Sequence, residues 1–337
     1  MSSPDTNHRA SRPGSAAPVK PADPAGPAAR PGAAGLLDRV PPVTLVLTGI
    51  VSVQVGAGLA ARLFTEVPPA AVTALRLWTA ALLLAAMGAR GLGRALRGLA
   101  GRRAWRDLLV VVAFGLTLAA MNYSIYQSFA RIPLGIAVTI EFLGPLAVAV
   151  ASSRRLLDLL WVVLAGAGVA LLARGGSPAG GAVYAGHGNF LPGLGFGLAA
   201  GATWAAYILL SRATGRRFPG SSGLAIAMLV AAVAITPTGV ITGGRSLLRP
   251  PIIAAGAGIG LLSSIIPYSL ELETLRRIPA RVFGIWMSLE PAVAALVGLI
   301  VLGQELSPRE WLAIGCVTVA CAGAARLSGA QAPPGQA

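Results

Sequence analysis

The chain has 337 residues, of which 55% are hydrophobic and only 12% charged, and its mean hydropathy is +0.72. A soluble domain carries about 25% charge, so this composition excludes an ordinary soluble fold and indicates a protein dissolved in lipid. The net charge of +15 does not indicate a nucleic-acid partner, because the basic residues are spread over the segments between apolar runs and form no folded basic module.

Residues 1–40 are rich in Pro, Ala, Gly and Ser and contain no apolar stretch, which predicts a disordered tail, since nothing in it can offset the entropy of ordering. The first apolar core begins only at Val43, so the first span is expected to act as its own insertion signal, not as a cleaved leader. About 20 residues cross about 30 Å of hydrocarbon at 1.5 Å per residue. On that measure five spans are expected over Val43–Leu63, Ala70–Ala89, Asp107–Ala130, Pro133–Ala151 and Leu156–Ala173. Five more are expected over Phe190–Leu210, Ser222–Ile241, Ile252–Leu272, Pro279–Leu302 and Pro308–Leu327. The Gly and Pro inside these runs are ordinary in transmembrane helices.

Arg131-Ile132-Pro133 opens the fourth run and Arg277-Ile278-Pro279 opens the ninth, 146 residues later; twelve residues past each proline stand Pro145 and Pro291. This is an internal duplication of five spans. Because five is odd, the second copy enters the membrane from the opposite side. The fold class expected is therefore an all-α integral membrane protein with ten transmembrane helices as two inverted five-helix repeats. The repeats occupy 43–173 and 190–327, separated by an extracytoplasmic loop at 174–189 and followed by a cytoplasmic C-tail at 328–337. Inverted repeats are the architecture of secondary transporters, whose site lies between the halves near the midplane.

With both ends cytoplasmic, 20 basic residues fall inside and six (Arg62, Arg131, Arg174, Arg245, Arg249, Arg309) outside, while Arg76 lies within a span. That bias predicts the N-in, C-in topology. The densest group, Arg90 to Arg106, is expected to lie on anionic headgroups.

Cys316 and Cys321 both fall in the last span without a CxxC, and His8 and His187 lie in the tail and a loop. No metal site, cofactor or His-based catalytic centre can be assembled from them, and no nucleotide-binding or hydrolase motif is present. Glycines four apart, Gly193, Gly197 and Gly201 in the sixth span and Gly256 with Gly260 in the eighth, let backbones approach closely. Static packing, a homodimer contact or a sliding gate would each use such a stripe.

A charged side chain at helix centre costs roughly 2.5–3.5 kcal/mol on insertion scales, so each is a functional candidate facing the interior. Arg76, Glu141 and Glu290 are the three clear cases. Glu141 stands one turn before Pro145, which removes a backbone hydrogen bond and bends the helix, and Glu290 directly precedes Pro291. Gln54, Asn122, Tyr123, Tyr126, Gln127, Trp204, Tyr207 and Tyr268 fit the wall of the same cavity, a few polar groups on an apolar and aromatic surface.

The stretch from Pro133 through Glu141 and Pro145 to Ser152-Ser-Arg-Arg155 resembles the bacterial threonine/homoserine exporters of the EamA group in the drug/metabolite transporter superfamily. So do Thr73-Ala-Leu-Arg76-Leu, Met121-Asn-Tyr123, Trp161-Val-Val-Leu-Ala165, Trp204 with Tyr207-Ile-Leu, Pro267-Tyr-Ser-Leu-Glu271 and Met287-Ser-Leu-Glu290-Pro. The resemblance covers residues 43 to 327. It implies export of small neutral amino acids from a bacterial plasma membrane, driven by the proton gradient, through a ten-helix fold with a central cavity. Departures from the group are the long N-tail, the glycine-rich loop from Gly175 to Gly188, and Ile285-Trp286, where Trp286 would narrow the site.

Two roles for Glu141 remain open here. Desolvation favours a protonated carboxyl and a nearby guanidinium an ionised one, so a Glu141 that meets Arg76 in one conformation only could carry the coupling proton; a permanent ion pair would only hold two helices together. The substrate carboxylate is expected at Arg76 or the broken backbone near Pro145, and its ammonium at Glu290 or the face of Trp204 or Tyr207. Export of bulkier aromatic or drug-like compounds stays open, and a remote alternative is an intramembrane enzyme or scaffold, which would have to use Ser, Tyr or Glu.

Overall fold

The computed structural model of the chain describes residues 40–99, 105–152, 158–175, 190–218 and 220–328. The expectations for the 1–40 tail, the 174–189 loop and the 328–337 tail fall almost wholly outside the described residues. From Pro41 onward the chain forms one compact unit, and its described residues are helices and short turns without a strand.

Prolines open many of these helices, at positions whose N–H has no partner in any helix. α1 runs Pro42–Leu63 and α2 Pro69–Met87. The short α3, Ala89–Leu99, is followed by α4, Trp105–Phe129. The fourth expected span is broken into α5, Leu134–Glu141, and α6, Leu143–Ala151. α7 (Asp158–Gly175), α8 (Phe190–Gly215) and α9 (Ser222–Gly243) follow. The eighth span is α10, Pro250–Gly260, a π-turn over Leu261–Ile265, and α11, Ile266–Leu275. The ninth is α12, Ala280–Met287, and α13, Glu290–Leu302, and α14 covers Pro308–Ser328.

Among the described residues eight stretches are long and apolar enough to cross a membrane. The fifth and tenth expected spans correspond to α7, whose apolar part Leu159–Leu172 is shorter, and α14, which is not among the eight. These two helices pack on each other, with Gly323 lying so close to Trp161 that a Cβ there would stand 2.5 Å from the indole ring.

The breaks in the fourth and ninth spans fall at the same place in the repeat. Phe142 has φ −63° and ψ −13°, and Ser288, its counterpart 146 residues on, has φ −65° and ψ −12°. Pro145 and Pro291, each three residues past its break, have no N–H to return to the carbonyls of Glu141 and Met287. In the first half Gly201 of α8 closes on the freed backbone: a Cβ at Gly201 would lie 2.9 Å from the Glu141 carbonyl oxygen.

The principal packing pairs cross between the halves, and each has its counterpart when the halves are exchanged. α4 packs on α8 as α1 packs on α10 and α11; α4 on α9 as α10 on α2; α5 and α6 on α8 as α12 and α13 on α1. The remaining pairs, α2 with α9, α7 with α14, and α5 with α13, join equivalent positions. One apolar core joins α1, the C-terminal end of α4, α5 and α13 with α7 and α14; a second lies between α2, α4 and α9.

Both glycine stripes are used up inside the chain. Gly193 and Gly197 meet Ile132 and Ile140, while Gly256 and Gly260 meet Leu75 and Thr79 of α2, so neither stripe is left for a second copy. Gly201→Val is expected to lower stability by about 1–3 kcal/mol through overpacking. Gly195→Val on the same helix, where a Cβ meets nothing within 4 Å, is expected to be tolerated. Thermal unfolding of the detergent-purified variants checks the contrast.

Candidate functional site

Four helices of one half and three of the other turn polar side chains toward a common centre. On α1, Gln54 is 2% exposed, and its Nε2 donates to Glu290 Oε1 at 2.9 Å. Glu290, 7% exposed, is the first residue of α13, where a helix N-terminus favours a carboxylate. This bond ties α1 to the broken ninth span.

On α2, Arg76 points at the π-turn of the eighth span. A π-turn displaces carbonyls from the helical ladder and often marks a functional position. Here those carbonyls are taken by side chains: Arg76 Nη2 donates to Ser263 O at 3.2 Å, and Ser52 Oγ donates to Leu262 O at 2.7 Å. Gly56 of α1 makes room for the turn, since a Cβ there would stand 3.2 Å from the Ser263 nitrogen. The guanidinium also lies 5.3 Å from the centre of the Tyr126 ring, a favourable cation–π arrangement.

α4 contributes Met121, Asn122, Ile125 and Phe129 to the cavity wall. Asn122 Nδ2 donates to Leu118 O at 2.8 Å. Tyr126, one turn further, is fully buried beneath Arg76 and packed between Phe64 and Phe129, supporting the arginine without lining the cavity. Tyr123 and Gln127 do not line it either. They sit about 100° round the helix from Asn122 and Tyr126, where Tyr123 meets Phe196 edge-on and Gln127 Oε1 accepts from Arg131 at 2.6 Å.

The assembled cavity has a volume of about 190 Å³. Arg76 is its one cationic lining residue, facing Glu141, Glu271 and Glu290 together with Gln54, Asn122, Ser263, Trp204, Tyr207 and Tyr268. Arg76 and Glu141 share the wall, yet no ion pair joins them in this conformation, and Arg76 is instead held by Ser263 and Tyr126. Trp286 is half-buried on α12 and does not line the cavity; Met287 beside it does. Pro145 and Pro291 shape the breaks, and of the two only Pro145 reaches a cavity wall.

Sequence reasoning passed over Glu271, although it stands in the Pro267-Tyr-Ser-Leu-Glu271 phrase. Its place at the end of the expected eighth span made a charge there look cheap. The helix in fact continues to Leu275, and Glu271 lies on the cavity side. It also borders a second cavity of about 310 Å³, lined by Phe142, Pro145, Trp204, Phe283 and Met287 among others. Leu63, Val67, Phe129, Ile132 and Leu134 are all buried in one apolar cluster, which Phe129 joins to the central cavity. There Gln304 Oε1 accepts from the Leu134 N–H at 2.9 Å and so caps α5. Among the described residues no group of three His, Cys, Asp or Glu could hold a metal ion.

Two adjoining cavities, one with a charged lining, enclosed by membrane-length helices, make up the interior of a multi-pass membrane carrier. Comparison with known proteins places it more closely. The EamA-like transporter family model matches residues 191–326. The threonine/homoserine exporter RhtA of Escherichia coli (strain K12) is 40% identical over 292 residues, covering 86% of this chain and 94% of that protein. RhtA of Salmonella typhimurium (strain LT2) is 39% identical over 282 residues, covering 84% and 90%. A solved structure described only as "Crystal structure of protein" superposes with a TM-score of 0.55 at 20% identity, covering 83% of this chain and 95% of that one, a likeness of fold alone. The chain belongs to the EamA-like transporter family, whose members named here are transporters and not enzymes.

Among the described residues, the Gln54–Glu290 bond is the one hydrogen bond from side chain to side chain between cavity-lining groups of opposite halves. A double-mutant cycle of Gln54→Leu and Glu290→Leu is expected to give a coupling of about 0.6–1.7 kcal/mol, the range that interhelical hydrogen bonds in membranes show. Thermal or denaturant unfolding of the four proteins in detergent measures it, and additive effects would show the contact to be idle.

Proposed function

We propose that this chain exports threonine- and homoserine-like amino acids by alternating access, exchanging them for protons. The observation that carries this reading is the set of buried cavity atoms left without a protein partner. Arg76 Nε is a donor; Gln54 Oε1, Glu290 Oε2 and Ser263 Oγ are oxygens able to accept. A buried polar group left unmatched costs about 1–3 kcal/mol, and a hydroxylated amino acid matches all of them. Its carboxylate accepts from Arg76, while its ammonium and hydroxyl donate to the oxygens. The names of the RhtA relatives support the same substrate class.

Size favours this over bulkier cargo. Pockets for drug-sized ligands run to about 300–1,000 Å³, whereas the charged cavity holds about 190 Å³. Of the aromatic residues that could offer a stacking surface, Trp286 does not line it, whereas Trp204, Tyr207 and Tyr268 do.

The exchange symmetry of the packing and the matched breaks at Phe142 and Ser288 support ten spans arranged as two inverted repeats, 43–173 and 190–327. In that frame both termini are cytoplasmic, the protein sits in the bacterial plasma membrane, the second cavity lies on the inward side and the apolar cluster of Leu63, Phe129 and Leu134 on the outward side. All site residues come from one chain, so a homodimer is not required for the site. Glu141 carries the coupling proton in this reading. It ends α5 at the break, where small movements of α5 against α6 bring it toward Arg76 or away, and a carboxyl that meets a guanidinium in one state only releases its proton there. Glu290 is held by Gln54 and serves binding.

In proteoliposomes, labelled homoserine and threonine are expected to accumulate when the lumen is acid and not when it is alkaline, because outgoing protons drive uptake. Glu141→Gln is expected to abolish that gradient dependence while keeping homoserine–homoserine exchange. Arg76→Gln is expected to raise KM by about tenfold or more, the loss of a charge-assisted hydrogen bond of about 1.5–3 kcal/mol. No uptake by folded wild-type protein under either gradient would discard the substrate assignment.

A further inference from the structure

Glu271 is the one acidic residue that borders both cavities, and it has no role in the binding scheme above. It lies on α11 one turn after Tyr268 and lines the central cavity with Trp204 and Tyr207, which are themselves one turn apart on α8. Trp204 and Met287 also line both cavities, so the three residues stand where the two cavities adjoin. Among the residues lining the second cavity, Glu271 is the single charged one; its neighbours there are mainly Phe142, Pro145, Leu146, Phe283 and alanines.

A buried carboxylate is costly unless it is paired, and a purely structural one would be expected to have a partner. Glu273, two residues on, shows what that looks like: Arg277 Nη2 donates to it at 2.6 Å and Arg276 Nη1 at 3.3 Å. Among the described residues, none makes an ion pair or a side-chain hydrogen bond with Glu271. The other two cavity carboxylates are differently placed. Glu290 accepts from Gln54, and Glu141 sits on the helix break facing the central cavity only.

We propose that Glu271, backed by the faces of Trp204 and Tyr207, receives the ammonium group of the transported amino acid where the two cavities adjoin and so selects solutes with a free amine. This rests on the export reading for the identity of the solute. The chemistry is that of an ammonium site: a desolvated carboxylate supplies the countercharge, and aromatic faces supply cation–π attraction without competing hydrogen bonds. An apolar vestibule with a lone negative charge admits a zwitterion amine-first and disfavours an anion. Arg76, the cation of the central cavity, takes the carboxylate; the ammonium, with three N–H donors, bonds Glu271 together with the free oxygens of Glu290 and Gln54, and the hydroxyl is left for Ser263 Oγ.

Equilibrium binding to the purified, detergent-solubilised chain, followed by tryptophan fluorescence, tests this with three probes. They are homoserine, 3-aminopropan-1-ol, which lacks the carboxylate, and 4-hydroxybutyrate, which lacks the amine. Glu271→Gln is expected to weaken homoserine and 3-aminopropan-1-ol by about tenfold or more and to leave 4-hydroxybutyrate within about twofold, while Arg76→Gln gives the reverse pattern. Glu271→Asp, which keeps the charge, is expected to recover part of the loss. Equal weakening of all three probes, amine affinity unchanged in Glu271→Gln, or no binding of the amine to the wild-type chain would each overturn the assignment. If the wild type carries no amino acid in liposomes yet binds 3-aminopropan-1-ol through Glu271, the export reading falls and the amine site stands. If homoserine is transported with the same KM in Glu271→Gln, the amine site falls and export stands.

Discussion

Hydrocarbon offers no water to a backbone carbonyl, and that constraint governs the whole molecule. Each interruption of a helix at membrane depth has to be answered by a side chain or a close-packed backbone from elsewhere in the chain. The π-turn of the eighth span is answered by Ser52 and Arg76 from the first half. The break after Glu141 is answered by Gly201 from the second half. Because the answering group lies in the other half of the chain in both cases, these interruptions, which shape the central cavity, also hold the halves together.

The duplication does not make the two halves chemically alike. Counting 146 residues on, Glu141 corresponds to Met287 and Gly144 to Glu290. Where the first half uses a glycine to bring α6 against α8, the second half places a carboxylate that hydrogen-bonds to α1. Glu141, in turn, faces the cavity from a position that its counterpart fills with a thioether. One break therefore combines tight backbone contact with a carboxyl and the other combines an interhelical hydrogen bond with an apolar wall, which leaves two inequivalent carboxyls on either side of one small space.

Much of this was legible in the residues. The repeated Arg-Ile-Pro phrase marked the breaks, and Arg76, Glu141 and Glu290 stood out because lipid penalises them; all three line one cavity. What escaped reading had physical causes. A π-turn leaves no mark of its own in Leu261–Ile265, which contains neither glycine nor proline. Glu271 was hidden by an uncertainty of a few residues in where a helix leaves the membrane. Tyr123 and Gln127 share α4 with Asn122, and only the rotation of that helix, set by contacts with α8 and α9, decides which of them face the cavity. Trp286 and Met287 are neighbours, and a choice of face between adjacent residues is likewise a matter of packing.

The bond between Arg76 and Ser263 spans 187 positions of the chain. At about 5–20 residues per second of synthesis, the guanidinium waits roughly 10–40 s in or beside the bilayer before its acceptor exists. During that interval the Tyr126 ring is the partner the first half itself offers to Arg76, and the close-contact faces at Gly56, Gly115 and Gly135 stay unfilled until the second half arrives.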